Sequence, residues 1–305
     1  MYDVIVIGGG TAGLSVAQIL GRARRNVLVL ADGDTRNSPS AGVHGIITRD
    51  GVPPAELTRA ATDELAAYPA VTVRRDRAIS VDGQRGDFVV QFASGEIAAA
   101  RRVVLATGVV DELPSIDGLA ERWGTSVLHC PYCHGWEVRD KPLAVLALSI
   151  LDAYVAAHLT QWSSDVLFCL NGVQFDEAQY VVLNSAGVRI QGGKVVALEG
   201  QAPALQGVRF DDGEVISRDA LFLHAPTRQR SDLAAQLECR ILDDGAVEVD
   251  ELGQTTAPGI YAVGDMARRA SQEPDLTFTA RAMGDGVITG VAVNRELFFE
   301  SLAFG

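Results

Sequence analysis

The sequence predicts an α/β fold of two parallel-sheet units, the second inserted into a discontinuous first. Three observations point there. The chain opens with a short apolar run, a glycine turn and an apolar helix pattern. A similar strand–turn–helix order begins again at residue 143. A last apolar strand with its own Gly-Asp turn, within residues 255–265, precedes a final helix. At 305 residues the chain is long enough for two domains of ordinary size.

Residues 3–7 are short, branched and almost wholly apolar, as a strand buried on both faces of a parallel sheet is. Residues 8–10 make a tight turn, residues 14–20 a helix and residues 26–30 a second strand, which completes a βαβ unit. VTVRR and FVVQFA alternate in polarity, so residues 71–93 are expected in an antiparallel side sheet. Residues 102–106 form another strand, closed by Thr107-Gly108. Past residues 114–123 the second pattern runs as strand 143–147, helix 151–162 and strand 165–170. Small strands at 195–198 and 207–210 follow, and 220–223 closes the unit. The final helix spans residues 279–298. The first domain is expected at 1–113 plus 240–305, and the inserted one at 114–239.

Composition excludes several classes. At 48% hydrophobic residues the chain is too apolar to be mostly disordered. Four cysteines are too few for a disulfide-stapled scaffold. A net charge of -13 argues against a nucleic-acid partner, which needs clustered Lys and Arg. The apolar N-terminus lacks a basic leader and a small-residue cleavage site, and Thr11 and Ser15 interrupt it. No membrane association is expected, and the location is read as cytoplasmic. There a close cysteine pair is catalytic or metal-binding rather than structural.

Gly8-x-Gly10-x-x-Gly13 follows a strand and opens a helix. Gly8 allows the sharp turn, Gly10 removes a Cβ from the path of a pyrophosphate, and Gly13 lets helix and sheet pack closely. The pattern reads as a dinucleotide site, with the helix amides facing the phosphates. A carboxylate past the second strand binds ribose hydroxyls in such sites. Asp32 and Asp34 are both available, and Asp32 is chosen. Asp265 is a candidate acceptor for a ribityl hydroxyl; its alternative is an ordinary turn aspartate.

The sharpest local signal is CPYCHGWE, with Cys130 and Cys133 two residues apart. Such a pair closes a small disulfide ring whose two states differ by two electrons and two protons. Zinc would need further ligands, and Cys169 and Cys239 are isolated, so no metal is expected and both read as packing residues. His134 can exchange a proton with a thiol, or it is a turn histidine facing water. Glu137 is a weaker candidate, and His129 carries no assigned role. Trp136 covers the disulfide or a flavin face, or it packs in the core.

These motifs together resemble the low-molecular-weight thioredoxin reductase family of flavoproteins. The resemblance covers nearly the whole chain: GGGTAG at 8–13, ATG at 106–108, CPYC at 130–133 and GIYAVGD at 259–265. CPYCHGWE is most similar to the branch that holds the gliotoxin- and holomycin-forming dithiol oxidases. The resemblance implies a two-domain Rossmann-like FAD/NAD(P)-binding fold of the thioredoxin reductase type, with the second domain inserted in the first. It implies FAD in the first site, with Gly8, Gly10, Gly13, Thr107, Gly108, Gly264 and Asp265 around it; Asp32 takes the ribose role from its own position past the second strand. Thr279, Ala280 and Ala282 lie in the terminal helix region that meets the flavin in relatives, and a homodimer is implied. Cys133 would be the flavin-proximal sulfur and Cys130 the one that exchanges with an outside thiol. His134 replaces the acidic residue of ordinary reductases. Ala31 departs from the family, which often has an acidic residue there.

A second departure lies at VLALSILDAYVA, 145–156, where an ordinary reductase has a Gly-rich NADPH loop. Side chains replace the open cradle, and Asp152 adds negative charge at the helix start. The next strand leads to Asp176 and Glu177, not to the arginines that suit a 2′-phosphate. The leading reading is an FAD-dependent oxidase that turns a dithiol into a disulfide, with oxygen or another acceptor. Two alternatives stand beside it. One is a disulfide reductase fed by ferredoxin, another flavoprotein or an atypical NAD(P)H pose; the other is a flavin-bearing redox sensor. The partner is a small-molecule dithiol or disulfide, or a thioredoxin-like protein.

Overall fold

The computed structural model describes residues 1–273 and 276–303. The chain divides into two compact units. Residues 1–36, 46–110 and those from 227 onward form the first, and residues 37–45 with 111–226 form the second.

In the first unit, β1 (Tyr2–Ile7), α1 (Thr11–Arg22) and β2 (Val27–Leu30) make a βαβ unit with parallel strands. Helix α2 (Pro54–Leu65) starts with a proline, whose missing N–H costs nothing in a first turn. It leads to β3 (Val71–Arg74), which pairs with β2 in parallel. VTVRR is therefore a parallel edge strand of the sheet and not one of its antiparallel strands. A half-covered edge strand alternates just as a side-sheet strand does, so periodicity does not separate them. The antiparallel part consists of β4 (Ala78–Gln84), β5 (Asp87–Phe92) and the first half of β6 (Ile97–Leu105). The second half of β6 runs parallel to β1, giving the order β3-β2-β1-β6-β5-β4. β7 (Val109–Asp111) leaves the unit.

The second unit contains β8 (Val127–Leu128), α3 (Pro131–His134), β9 (Leu143–Leu146), α4 (Asp152–Leu159), β10 (Val166–Cys169), α5 (Glu177–Ser185) and β11 (Arg189–Gln191). β12 (Val195–Glu199), β13 (Gly207–Phe210) and β14 (Val215–Ile216) form a small antiparallel sheet, and β15 (Ala220–Phe222) follows. The main sheet is parallel throughout, in the order β11-β10-β9-β15-β8. Asp176 caps α5: its carboxylate accepts from the Ala178 amide at 2.9 Å, and Gln179 returns a bond to the Asp176 amide.

The chain then returns through β16 (Thr227–Gln229), α6 (Leu233–Gln236), β17 (Val247–Glu248), β18 (Ile260–Ala262), β19 (Ala267–Arg268) and α7 (Thr279–Ala303). Residues 227–239, expected in the inserted domain, group with the first unit. The cause is burial: Leu233, Ala234 and Cys239 join Phe88, Val90 and Met266 in one apolar cluster. β18 joins the sheet parallel to β6.

The first sheet is buried on both faces. Ile5 and Ile7 point into one cluster, with Leu28 and Val103. Val4 and Val6 point into the other, beneath Leu14, Val16 and Leu20 of α1 and Val293 and Leu297 of α7. An ion cluster fastens α7 to the sheet. Arg102 of β6, fully buried, places Nε 3.0 Å from Glu296 and also bonds Glu300, and the Tyr261 hydroxyl donates to Glu296. Burial pushes the Glu296 carboxyl up, but the Arg102 and Tyr261 bonds outweigh that and hold it below the ordinary carboxylate range. This contribution is present above the unfolded carboxyl's pKa and is lost as pH falls through the depressed folded one. Arg102→Ala is expected to cost about 3 kcal/mol, the lower end for breaking a buried pair. The lower end applies because Arg85 still lies 2.5 Å from Glu296. Urea unfolding at neutral pH measures the loss, which should shrink in acid as the stranded carboxylates protonate.

Candidate active site

Two groups of residues carry chemistry, one in each unit. In the first, Gly8 ends β1 at φ +128°, where a Cβ would lie 2.1 Å from the Ala106 carbonyl oxygen. A Cβ at Gly13 would lie 2.1 Å from the Gly8 carbonyl oxygen. These glycines let the ends of β1, α1 and β6 meet. Gly10 is different: its φ is -75°, and its Cβ would meet only the Thr35 methyl, at 3.9 Å. No side chain caps the first turn of α1, so none competes there for its amides. Open space beside helix N-terminal amides suits an anion.

The other residues expected around this turn are placed as follows. Thr107 donates to the Met266 sulfur at 3.3 Å. Gly108 and Gly264 both have positive φ, and a Cβ on Gly264 would lie 2.9 Å from that of Ala12. Asp265 pairs with Arg36 at 3.0 Å, both mostly covered. Asp32 lies just past β2, half exposed, 3.7 Å from Arg77. Asp34 offers its backbone oxygen to Arg230 at 3.3 Å. Thr279 and Ala280 open α7, one half-buried and one exposed, and Ala282 is buried near Gly264. Sequence reasoning missed Arg36, which sits in an aperiodic stretch with no motif to mark it.

Gly10→Val tests this cradle cleanly. The chain itself has room for the side chain, so folding should be nearly unchanged by circular dichroism. Flavin released by heat and quantified by chromatography should fall by about tenfold or more, because the side chain enters the phosphate space.

In the second unit Cys130 and Cys133 form a disulfide with Cα atoms 5.2 Å apart. Pro131 starts α3 between them, and the Cys133 amide donates to the Cys130 sulfur at 3.1 Å. Both cysteines are half-buried. His134 ends α3 with its ring edge-on to that of His44, centroids 6.5 Å apart. His44 Nε2 in turn lies 3.5 Å from the Glu137 carboxylate. Burial above all, and then His44, lowers the His134 pKa below the ordinary imidazole value, and Glu137 offsets this only in part. His134 is thus held neutral, able to accept a proton.

His44 was missed because it is distant in sequence and lies in an irregular segment. His129 packs against Trp123, ring centroids 6.1 Å apart. Trp136 is 65% exposed, with the Arg139 guanidinium 3.9 Å over its ring, which removes the core-packing reading. Tyr132, between the two cysteines, is exposed and bonds His158 at 3.1 Å. Cys169 and Cys239 are buried and unpaired. Burial pushes the Cys169 thiol up to about 12, far from a reactive thiolate.

Comparison with known proteins decides the family. The model of the pyridine nucleotide-disulphide oxidoreductases matches residues 2–284. The chain belongs to that family. Among solved structures, an oxidoreductase from Agrobacterium tumefaciens is 37% identical, with a TM-score of 0.91 over 98% of this chain and 99% of that one. The crystal structure of HlmI is 35% identical, with a TM-score of 0.93 over 99% of this chain and 94% of that one. The thioredoxin reductase sirT of Leptosphaeria maculans is 30% identical, over 94% of this chain and 93% of its own length.

The chain is a thioredoxin-reductase-like FAD oxidoreductase that works on thiols and disulfides through Cys130 and Cys133. Its residues fit the cofactor: the open space beside Gly10, the uncapped start of α1 and the Asp265–Arg36 pair all suit a flavin dinucleotide. Among the described residues no helix is long and apolar enough to cross a membrane.

Proposed function

We propose that this oxidoreductase converts a small-molecule dithiol into its disulfide, with oxygen or another acceptor taking up the electrons. The observation that carries the reading is the placement of His134, directly after Cys133 on α3 with its ring edge-on to His44 and Glu137 beyond; burial lowers its pKa and so favours the neutral base. A thiol must lose its proton before it attacks a disulfide, and a neutral imidazole takes such protons near neutral pH.

One substrate sulfur bonds to Cys130, and Cys133 leaves as a thiolate. The second substrate sulfur then closes onto the first and expels Cys130. The substrate has lost two electrons and two protons, and the enzyme pair has gained them. Bound FAD supplies the acceptor that returns Cys130 and Cys133 to the disulfide. Gly8, Gly10, Gly13, Thr107, Gly108, Gly264, Asp265 and the opening residues of α7, Thr279 and Ala280, are assigned to holding it, with Asp32 at the ribose.

A homodimer belongs to the same reading. Val287, Val291, Phe298 and Leu302 of α7 are exposed at helical spacing and give it an apolar face.

The relatives named as thioredoxin reductases make NADPH the discriminating donor. Anaerobic protein mixed with a dithiol should bleach its flavin absorbance, and air should restore it with one equivalent of disulfide formed. Rapid bleaching by NADPH with no response to dithiols would overturn the reading in favour of a reductase.

A further inference from the structure

In a Rossmann unit the turn from the first strand to its helix is where dinucleotide phosphates sit, on free backbone amides. In the second unit that turn is residues 147–151, between β9 and α4, and it contains no glycine. Two of its amides, those of Leu148 and Ser149, already have a side-chain partner. Asp152, only 2% exposed, directs Oδ2 back onto the turn. That one oxygen accepts from the Leu148 amide at 2.8 Å and the Ser149 amide at 2.7 Å, with the Ser149 hydroxyl 3.3 Å away.

Two successive amides converging on one anionic oxygen is the way a backbone turn holds a phosphate oxygen. We propose that Asp152 is a built-in substitute ligand, whose carboxyl oxygen fills the phosphate position of the second unit and excludes nicotinamide dinucleotides from it.

Exclusion acts in two ways. The two amides are spent on the carboxyl oxygen, which an incoming phosphate would have to displace; burial pushes the pKa of the Asp152 carboxyl up, and the Leu148 and Ser149 amides pull it back toward the ionised form. Ile150 and Leu151, both exposed, add apolar side chains to the same turn. The parallel sheet is kept as the carrier of the cysteine pair while its former ligand position is occupied from within. Asp152 is thus a specificity-determining residue. The inference rests on the fold and not on the direction of thiol chemistry.

The test uses binding alone, so its failure is distinct from a failure of the dithiol reading. Flavin-loaded wild type, Asp152→Ala and Asp152→Ser are titrated calorimetrically with inorganic pyrophosphate and with NADPH. Their melting is followed with pyrophosphate against sodium chloride at matched ionic strength. Wild type is expected to show no saturable binding at millimolar ligand and no change in Tm. The variants should bind pyrophosphate at least about tenfold more tightly and regain part of their lost Tm when it is added. If the alanine variant does not fold, the serine variant carries the comparison, because its hydroxyl can still accept from a turn amide. Saturable micromolar binding of NADPH or pyrophosphate by wild type would overturn the proposal. So would folded variants that respond no differently from wild type.

Discussion

Cys130→Ser and Cys133→Ser are each expected to slow dithiol oxidation by on the order of a thousandfold or more, as loss of a nucleophile does, yet to fail in different ways. In the proposed sequence Cys130 bonds the substrate and Cys133 serves the flavin. Cys133→Ser, offered the disulfide product, has a Cys130 thiol and no neighbour to expel the adduct. It should accumulate a mixed disulfide at Cys130, seen by mass spectrometry of the digested protein. Cys130→Ser should accumulate little, while its Cys133 still perturbs the flavin spectrum. The geometry supports this division. The Cys133 amide already points at the Cys130 sulfur, and that bond strengthens as Cys130 leaves as a thiolate. An adduct that forms on Cys133 in preference to Cys130 would reverse the roles.

His134→Ala should slow flavin reduction by dithiol roughly tenfold to a thousandfold, the scale of general acid–base catalysis. Flavin content should not change, since the Gly8–Gly13 turn belongs to the other unit. The sign of the pH dependence follows from the lowered pKa of His134. The imidazole stays a base below the ordinary histidine value, so the wild-type rate should persist there and fall only as pH drops through the depressed one. The His134→Ala defect should lessen at high pH, where thiols ionise without help. His44→Ala removes both a like charge and cover from His134, so the acid limb of the rate profile should move to higher pH. Stopped-flow bleaching across about pH 5 to pH 9, which reaches below the ordinary His titration and past the ordinary Cys one, reads both variants. A fully loaded His134→Ala protein with an unchanged rate throughout would remove His134 from the mechanism.

Much of the fold is legible in the sequence because its strands are buried on both faces. Runs such as VIVI at the N-terminus and LAVL at residues 143–146 read as strands of a parallel sheet once a short turn and a helix follow. The half-covered pieces were harder. VTVRR alternates as an antiparallel strand does, yet it pairs in parallel at the edge of the same sheet, and α2 has only Pro54, Leu57 and Leu65 to mark its start and its buried stripe. Asp176 shows only its charge in the sequence, and its capping role appears only with the helix it caps.

At the active site, Cys130, Cys133 and His134 announce themselves by adjacency. His44 and Arg36 do not, because what matters for them is a through-space partner: Glu137 and His134 for one, Asp265 for the other. Asp152 was visible as an unwelcome charge. That its carboxylate bonds the turn's own amides depends on a side-chain direction no pattern encodes.

The short stretch 37–45 has a consequence for modularity. It is separated in sequence from residues 111–226 yet groups with them, bringing His44 to His134 and setting Pro39 against Gly124, where an added Cβ would come within 2.8 Å. The cysteine-bearing half is consequently not a cassette that a single pair of cuts can lift out. A gene fragment spanning 111–226 would yield the disulfide without its distal histidine and with a bare patch over Gly124. Exchange of this half between relatives would have to move two separate pieces of DNA together, so the loop at 37–45 and the CPYCHGWE stretch are expected to be inherited as a pair.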